Sequence, residues 1–194
     1  MTTSFYRSGS LPVDCGVRGG AVRGLRDGFG PFQRTADQLL MEAGILEWSD
    51  ETFTPVGAIM RFFNLAEERY GPEILFEFGK QDARYMPLDT VSLLEFLARL
   101  SQFYLGQHTN ANYGSAFATV LSPVHAIAWS TSPYPCEVET GLLAGVFSYY
   151  RIRPQILHTT PCRRDGAFAC LWRLVWGDAV ESLEPELLDL AGLS

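Results

Sequence analysis

Between Pro31 and Leu105 apolar residues recur at three- and four-residue steps, the period of a helix with one buried face. Phe32, Ala36, Leu39, Leu40 and Ala43 outline a first helix that Gly44 would close. Thr54-Pro55 reads as an N-cap followed by proline at the first helical position. The helix it opens carries Ile59, Phe62, Phe63 and Ala66 to Tyr70 and stops at Gly71-Pro72. A third helix runs from Glu73 towards Tyr85 through Ile74, Leu75, Phe76 and Phe78. A fourth starts near Asp89 as its cap and passes through Leu93, Leu94, Phe96, Leu97 and Leu100 to about Leu105.

The period then shortens. Ser115–Leu121 and Val124–Thr131 alternate or run apolar over strand lengths with Ser122-Pro123 between them, the pattern of a hairpin. Glu137–Tyr149 returns to helical spacing and holds Gly141 and Gly145 four residues apart, a spacing for close helix packing. Pro154–Thr160 and Phe168–Trp176 read as two further strands. The order predicts a single α+β domain over residues 31–178, with N-terminal helices packed on a small antiparallel sheet. Residues 1–30 hold seven glycines and little periodicity, so an irregular leader is expected, with a short strand at most near Gly20–Leu25. Gly16-Val17-Arg18-Gly19-Gly20 lacks the preceding strand and the following Lys-Ser/Thr of a phosphate loop. Residues 179–194 read as an acidic tail or short helix.

Composition narrows the functional classes. The 194 residues are 47% hydrophobic and 19% charged, which is globular rather than disordered. A formal charge of -7 argues against a dedicated nucleic-acid binder, which needs a basic face to displace counterions. Lys80 stands alone against 14 arginines, a bias of GC-rich genomes. No apolar run reaches the roughly 18–20 residues of a membrane span, and Met1–Ser10 has no apolar stretch of a secretory signal. A cytoplasmic protein is expected.

The four cysteines are few for a disulfide scaffold and, in a reducing compartment, point to metal or free thiols. Cys15 is isolated in the leader. The others read Cys136-x25-Cys162-x7-Cys170: one opens a helix and two flank a short turn between strands. Three thiolates converging there would leave a tetrahedral zinc one ligand short. His158, Glu139, Glu137 and the distant Cys15 are the residues able to supply it. A helix start, Arg163 and Arg164 would each favour thiolates.

The segments Cys136-Glu137-Val138-Glu139-Thr140-Gly141, Gly145, Pro161-Cys162-Arg163-Arg164-Asp165-Gly166 and Cys170-Leu171-Trp172 together resemble the 4-vinyl-reductase-like domain. The resemblance covers Tyr113–Trp176, about a third of the chain. It is similar to zinc-containing aromatic-compound sensor domains of that family, which implies zinc held by three cysteines and a glutamate three residues before the second. That position here is Thr159, so His158 beside it is taken as the fourth ligand with Cys136, Cys162 and Cys170. Asn64-Leu65-Ala66-Glu67-Glu68-Arg69-Tyr70-Gly71 leading to Gly79 also resembles the wider superfamily, which includes TRAPP transport subunits and haem-based nitric-oxide sensors.

His108 follows a helix, where the haem sensors of that superfamily place an iron ligand, so haem or another tetrapyrrole enters as a second cofactor expectation. Their Tyr-x-Ser-x-Arg motif has no counterpart; the nearest segment is Trp129-Ser130-Thr131-Ser132-Pro133, without arginine. Trp129, His125, Tyr113, Phe117, Phe63 and His108 are taken as the lining of an apolar pocket between sheet and helices, with Phe62 and Phe96 nearby. No Gly-x-Ser-x-Gly elbow and no dinucleotide fingerprint accompany them, which weighs against an enzyme. Phe62, Phe63, Phe76 and Phe78 are too bulky for one small core, which points to a homodimer through the helical layer. The expectation is a non-enzymatic sensor or carrier for a small hydrophobic or aromatic molecule. A tetrapyrrole-pathway protein and a TRAPP-like assembly scaffold are the alternatives.

Overall fold

In the computed structural model, residues 14–110, 114–160 and 162–177 are described. The chain begins with strand β1 (Gly16–Arg18) and runs straight into helix α1 (Gly19–Asp27), followed by α2 (Gln33–Glu42). Strand β2 (Phe53–Pro55) leads into α3 (Val56–Tyr70), and α4 (Glu73–Asp82) follows through Gly71, whose φ of 84° ends α3. Two short 3-10 turns, Ala83–Tyr85 and Leu88–Thr90, precede α5 (Leu93–Ala98) and α6 (Leu100–Gly106). Then come β3 (His108–Thr109), the hairpin β4 (Ala116–Ser122) and β5 (His125–Ser130), α7 (Cys136–Tyr149), β6 (Pro154–Thr159) and β7 (Cys170–Trp176).

The main sheet is antiparallel with order β4-β5-β7-β6; a small second sheet has order β2-β1-β3. Strand alternation gives the main sheet one buried face, carrying Ala126, Ala128 and Ser130 beside Cys170, Trp172 and Leu174. The expected α+β architecture with helices on an antiparallel sheet is the one observed. The hairpin, the helix at Tyr149 and the last two strands lie where the pattern put them.

Within the expected leader, residues 1–13 lie outside the described residues, and residues 14–30 are a correction. From Gly16 onward they form β1 and α1, and Cys15, Val17, Val22, Leu25 and Phe29 belong to the first core cluster. The glycines that looked like breakers are contact points. A Cβ at Gly19 would stand 1.8 Å from the Ser49 carbonyl oxygen, and one at Gly28 would meet the Phe78 ring at 2.3 Å. The segment near Gly20–Leu25, expected as a strand at most, is helix α1. The fourth expected helix is two helices broken at Arg99. Its cap is Ser92, whose hydroxyl accepts the Glu95 amide at 3.3 Å, rather than Asp89.

The aromatic argument for a helical-layer dimer also falls. Phe62, Phe63 and Phe78 are fully buried within one core cluster, Phe63 stacked on Phe78 and Phe62 edge-on to Phe29, and Phe76 is half-buried. Gly141 and Gly145 serve packing inside the chain instead. A Cβ on Gly141 would lie 2.0 Å from the Phe76 carbonyl oxygen and one on Gly145 2.5 Å from that of Lys80, so α7 rides directly on α4. This close crossing sets the α4 and α7 faces that look towards the sheet. The expected tail at 179–194 lies outside the described residues.

Candidate functional site

A cavity opens where α1, α3, α4, α6 and α7 face the main sheet. It offers about 100 Å³ to the centres of water-sized molecules, within a lined space of about 1090 Å³ that includes its mouth. Its walls are mostly apolar: Ile59, Phe63, Phe78, Phe96, Leu143 and Trp172 are among them. Small residues make the room. Ala128 faces into the sheet's buried side opposite Trp172 in the strand register, and Ala116 sits on β4.

A few polar groups converge on this apolar space. His108, which opens β3 two residues after α6, lies within hydrogen-bonding distance of two oxygens. Its Nδ1 is 2.5 Å from the Tyr104 carbonyl and its Nε2 is 2.7 Å from the Tyr134 hydroxyl. A carbonyl only accepts, so Nδ1 carries the proton and Nε2 presents its lone pair to Tyr134. Burial holds the imidazole below its ordinary pKa, against the Tyr104 bond, so the ring is neutral.

Glu139 and Asp82 also line the cavity. Glu139 sits in the first turn of α7, where its Oε1 accepts the hydroxyls of Ser130 and Ser132. Burial pushes its carboxyl up to about 8, against the two serine bonds. Asp82 ends α4 with no hydrogen bond or ion pair among the described residues, and burial lifts it to about 7. Its place at the negative end of a helix adds to the cost of its charge. Neither residue is fully covered by protein, because part of each faces the cavity.

Of the expected pocket residues, Phe63, His108 and Trp129 are on the wall. Phe117 is not; it stacks on the Trp129 ring at 4.3 Å. His125 is not either. It opens β5 and its Nε2 accepts from Arg173 Nε at 3.3 Å, on the sheet face opposite Ala126. Strand parity puts residues 117, 125, 127 and 129 on the outer face while 126, 128 and 130 point inward, so Trp129 borders the cavity from its strand position with its ring stacked on Phe117 outside. Tyr113 lies outside the described residues. Asp82, Glu139 and Tyr134 were missed as cavity residues. The signal was there: Leu75, Phe78 and Asp82 follow helical spacing, as do Glu139, Leu143 and Val146, so each acid occupies an apolar stripe.

The cysteine cluster forms beside this cavity. Sγ of Cys136 lies 3.6 Å from that of Cys162 and 3.3 Å from that of Cys170, and Cys162 and Cys170 are 3.9 Å apart. A donor atom of His158 joins them, all four within 4.8 Å of one another. Strand register explains its arrival: His158 pairs with Trp172 and stacks on its ring at 4.9 Å, on the face that carries Cys170. The 3-10 turn at Arg163–Asp165 aims two backbone amides at sulfur, Arg163 N at Cys170 and Arg164 N at Cys162, at 3.4 and 3.3 Å. The Cys136 S–H, His158 and the Arg163 amide favour a thiolate at Cys170, pulled down to about 4, while Cys136 is held protonated by that same partner and by burial. The other residues considered for the fourth position are engaged elsewhere. Glu137 pairs with Arg164 at 2.6 Å, Glu139 faces the two serines, and Cys15 Sγ donates to the Asn110 carbonyl at 3.1 Å.

No protein-family profile matches the chain, and no curated protein matches it significantly. Solved structures do. An H-NOX protein from S. oneidensis in the Fe(II) ligation state aligns with a TM-score of 0.68 at 14% identity, over 83% of this chain and 96% of that one. An oxygen-binding H-NOX domain related to soluble guanylate cyclases aligns with a TM-score of 0.61 at 19% identity, over 82% and 93%. A Cs H-NOX mutant aligns at 0.60 and 18%, over 83% and 97%. At such identities the likeness is one of fold.

Proposed function

We propose that this chain is a non-enzymatic sensor or carrier domain that takes a small, flat, largely apolar molecule into the cavity between its helices and its sheet. The observation that carries the reading is the cavity itself: apolar and aromatic walls with a few converging polar groups, His108, Tyr134 and Glu139. A scaffold without a ligand would have no need of such a space in a core that otherwise packs tightly.

The cysteine cluster supports a structural zinc held by Cys136, Cys162, Cys170 and His158. Tetrahedral zinc with Zn–S near 2.3 Å requires sulfurs about 3.8 Å apart, and the three separations of 3.3–3.9 Å fit that demand. Backbone amides directed at two of the sulfurs are the outer support such a site needs. Bound there, the metal would clip the start of α7 to the β6–β7 turn and contribute directly to folding.

Haem is the second reading, favoured by the H-NOX likeness and by His108, whose Nδ1 bond to a carbonyl leaves the Nε2 lone pair, here taken by the Tyr134 hydroxyl, as the one a metal could use. The rest of the wall does not fit that group. Its lining contains no lysine or arginine for two propionates and instead carries Asp82 and Glu139. Two anionic groups would be driven into an apolar space beside two carboxyls.

Native mass spectrometry of gently purified protein separates these readings. The expected species is the chain with one zinc and a small organic molecule of low mass. A tetrapyrrole mass with an absorption band in the Soret region would replace the first reading by the second. Less than about a tenth of an equivalent of zinc would reject the metal.

A further inference from the structure

We propose that the ligand of this cavity is an aromatic molecule bearing an ammonium group, held by Asp82 with Glu139 as the second acceptor. The proposal rests on the cavity reading above and narrows it to one chemical class.

Three features of the wall carry it. First, its charge has one sign. The lining residues include two carboxyls and no lysine or arginine, and the single basic ring, His108, is neutral with both nitrogens engaged. Behind the wall, Arg23 lies over the Tyr85 ring but is bound to Asp50 at 2.8 Å, and Arg163, outside the lining, acts on Glu139. Asp27 stands behind the same ring and accepts the Tyr85 hydroxyl. An anion entering here finds no lysine or arginine on the wall to pair with and loses its hydration.

Second, Asp82 is an acid without a partner. It occupies the buried stripe of α4, after Leu75 and Phe78, and makes no hydrogen bond or ion pair among the described residues. Helix α1 packs directly on the backbone at this position, since a Cβ at Gly24 would stand 2.8 Å from the Asp82 Cα. Buried acids normally have hydrogen-bonded partners, and a ligand donor would supply one. Glu139 is half-satisfied in the same way: Oε1 accepts from two serines, and Oε2 has no protein donor among the described residues.

Third, the remaining wall suits an aromatic cation. Phe63, Phe78, Phe96, Tyr104 and Trp172 present rings, which accept both an aromatic body and a neighbouring positive charge. A neutral hydrocarbon would use the rings and leave both carboxyls desolvated. A carboxylate would do the same with added repulsion.

The test is a matched trio of probes, 2-phenylethylamine, 2-phenylethanol and 3-phenylpropionate, titrated into the full chain by calorimetry at neutral pH. The amine is expected to bind at least about tenfold tighter than the alcohol, a difference of about 1.4 kcal/mol, and the propionate weakest. Asp82→Asn should bring the amine down to the alcohol's affinity while the alcohol binds as before. Glu139→Gln is the second variant should Asp82→Asn not fold, and should lower the amine selectively. A propionate as tight as the amine, or an amine preference that survives both variants, would overturn the proposal while leaving the cavity reading in place. Failure of all three probes to bind would overturn the cavity reading and this proposal with it.

Discussion

The hydroxyl of Tyr134 stands 2.7 Å from Nε2 of His108, with the two rings tilted at 33° and their centroids 5.7 Å apart. Together with the Nδ1 bond to Tyr104, this fixes a neutral imidazole with its lone pair turned towards the tyrosine. Nitrogen NMR of the labelled histidine should therefore show a protonated Nδ1 and a bare Nε2 at neutral pH. Tyr134→Phe should cost about 1 kcal/mol, the worth of one such bond, read as a fall of about 2–4 °C in Tm. A protonated Nε2 in the native protein would contradict the assignment.

Acid in the cavity makes stability depend on pH in a definite direction. Asp82 and Glu139 have folded values raised to about 7 and about 8 from 3.8 and 4.5. A group raised in this way favours the fold fully below its unfolded value, and that contribution is lost as pH climbs through the folded one. Their part of the stability should therefore decline between about pH 4 and 8. Asp82→Asn should remove its share, of the order of 2–4 kcal/mol, so the variant should be more stable than the parent at pH 8 and nearly equal to it at pH 4. Chemical denaturation at the two values checks this.

Metal removal provides a third expectation. Cys162→Ala should lose the zinc and several kcal/mol of stability, which for a chain of this size is a Tm lower by about 10 °C or more. His158 is an exposed edge-strand residue, so His158→Ala should weaken zinc binding with a smaller loss of stability than Cys162→Ala. Chelation of the parent should reproduce the cysteine variant's melting curve. An unchanged curve after chelation would reject the clip.

Helix α4 meets α7 through glycine. A Cβ at Gly79 would stand 1.8 Å from the Val138 carbonyl oxygen, and backbone cannot yield as a flexible side chain does. Gly79→Ala should lower stability by about 3 kcal/mol or more, at the upper end of overpacking costs. Because Val138 and Glu139 are consecutive on α7, the same change should also disturb the Glu139 carboxyl and weaken ligand binding. Half-buried Gly57→Ala, with nothing near its Cβ, is the control and should be neutral or slightly stabilising.

Sequence pattern carried the main helices and the four-stranded sheet from Gln33 onward because their periods are strong, but it missed the break at Arg99 and read Thr54-Pro55, which belong to β2, as a helix start. It misread Gly16–Asp27 because glycine signals a breaker locally. Whether it marks a turn or a close approach depends on Ser49 and Phe78, far away in the chain. The Cys136, Cys162, Cys170 and His158 grouping was legible from spacing and resemblance, since a turn and a strand pair bring their ends together. The pocket was legible only in part. Parity along β4 and β5 decides that Phe117 and His125 face outward, and a one-residue change of phase inverts such an assignment. The two cavity acids were missed there because Glu139 is weighed only as a metal ligand and Asp82 is read as solvent-facing unless its helical register is checked.

Saturable binding of a small aromatic molecule to the cavity tests the account most directly, measured by calorimetry with the parent and with Ala116→Leu. Ala116 lies on the cavity wall, and a leucine there would fill part of the space that a ligand needs. The account predicts one-site binding of an aromatic amine to the parent, at least about tenfold weaker in Ala116→Leu, with unchanged far-ultraviolet circular dichroism. Equal binding by both proteins, or no saturable binding of any aromatic probe to the parent, would contradict it.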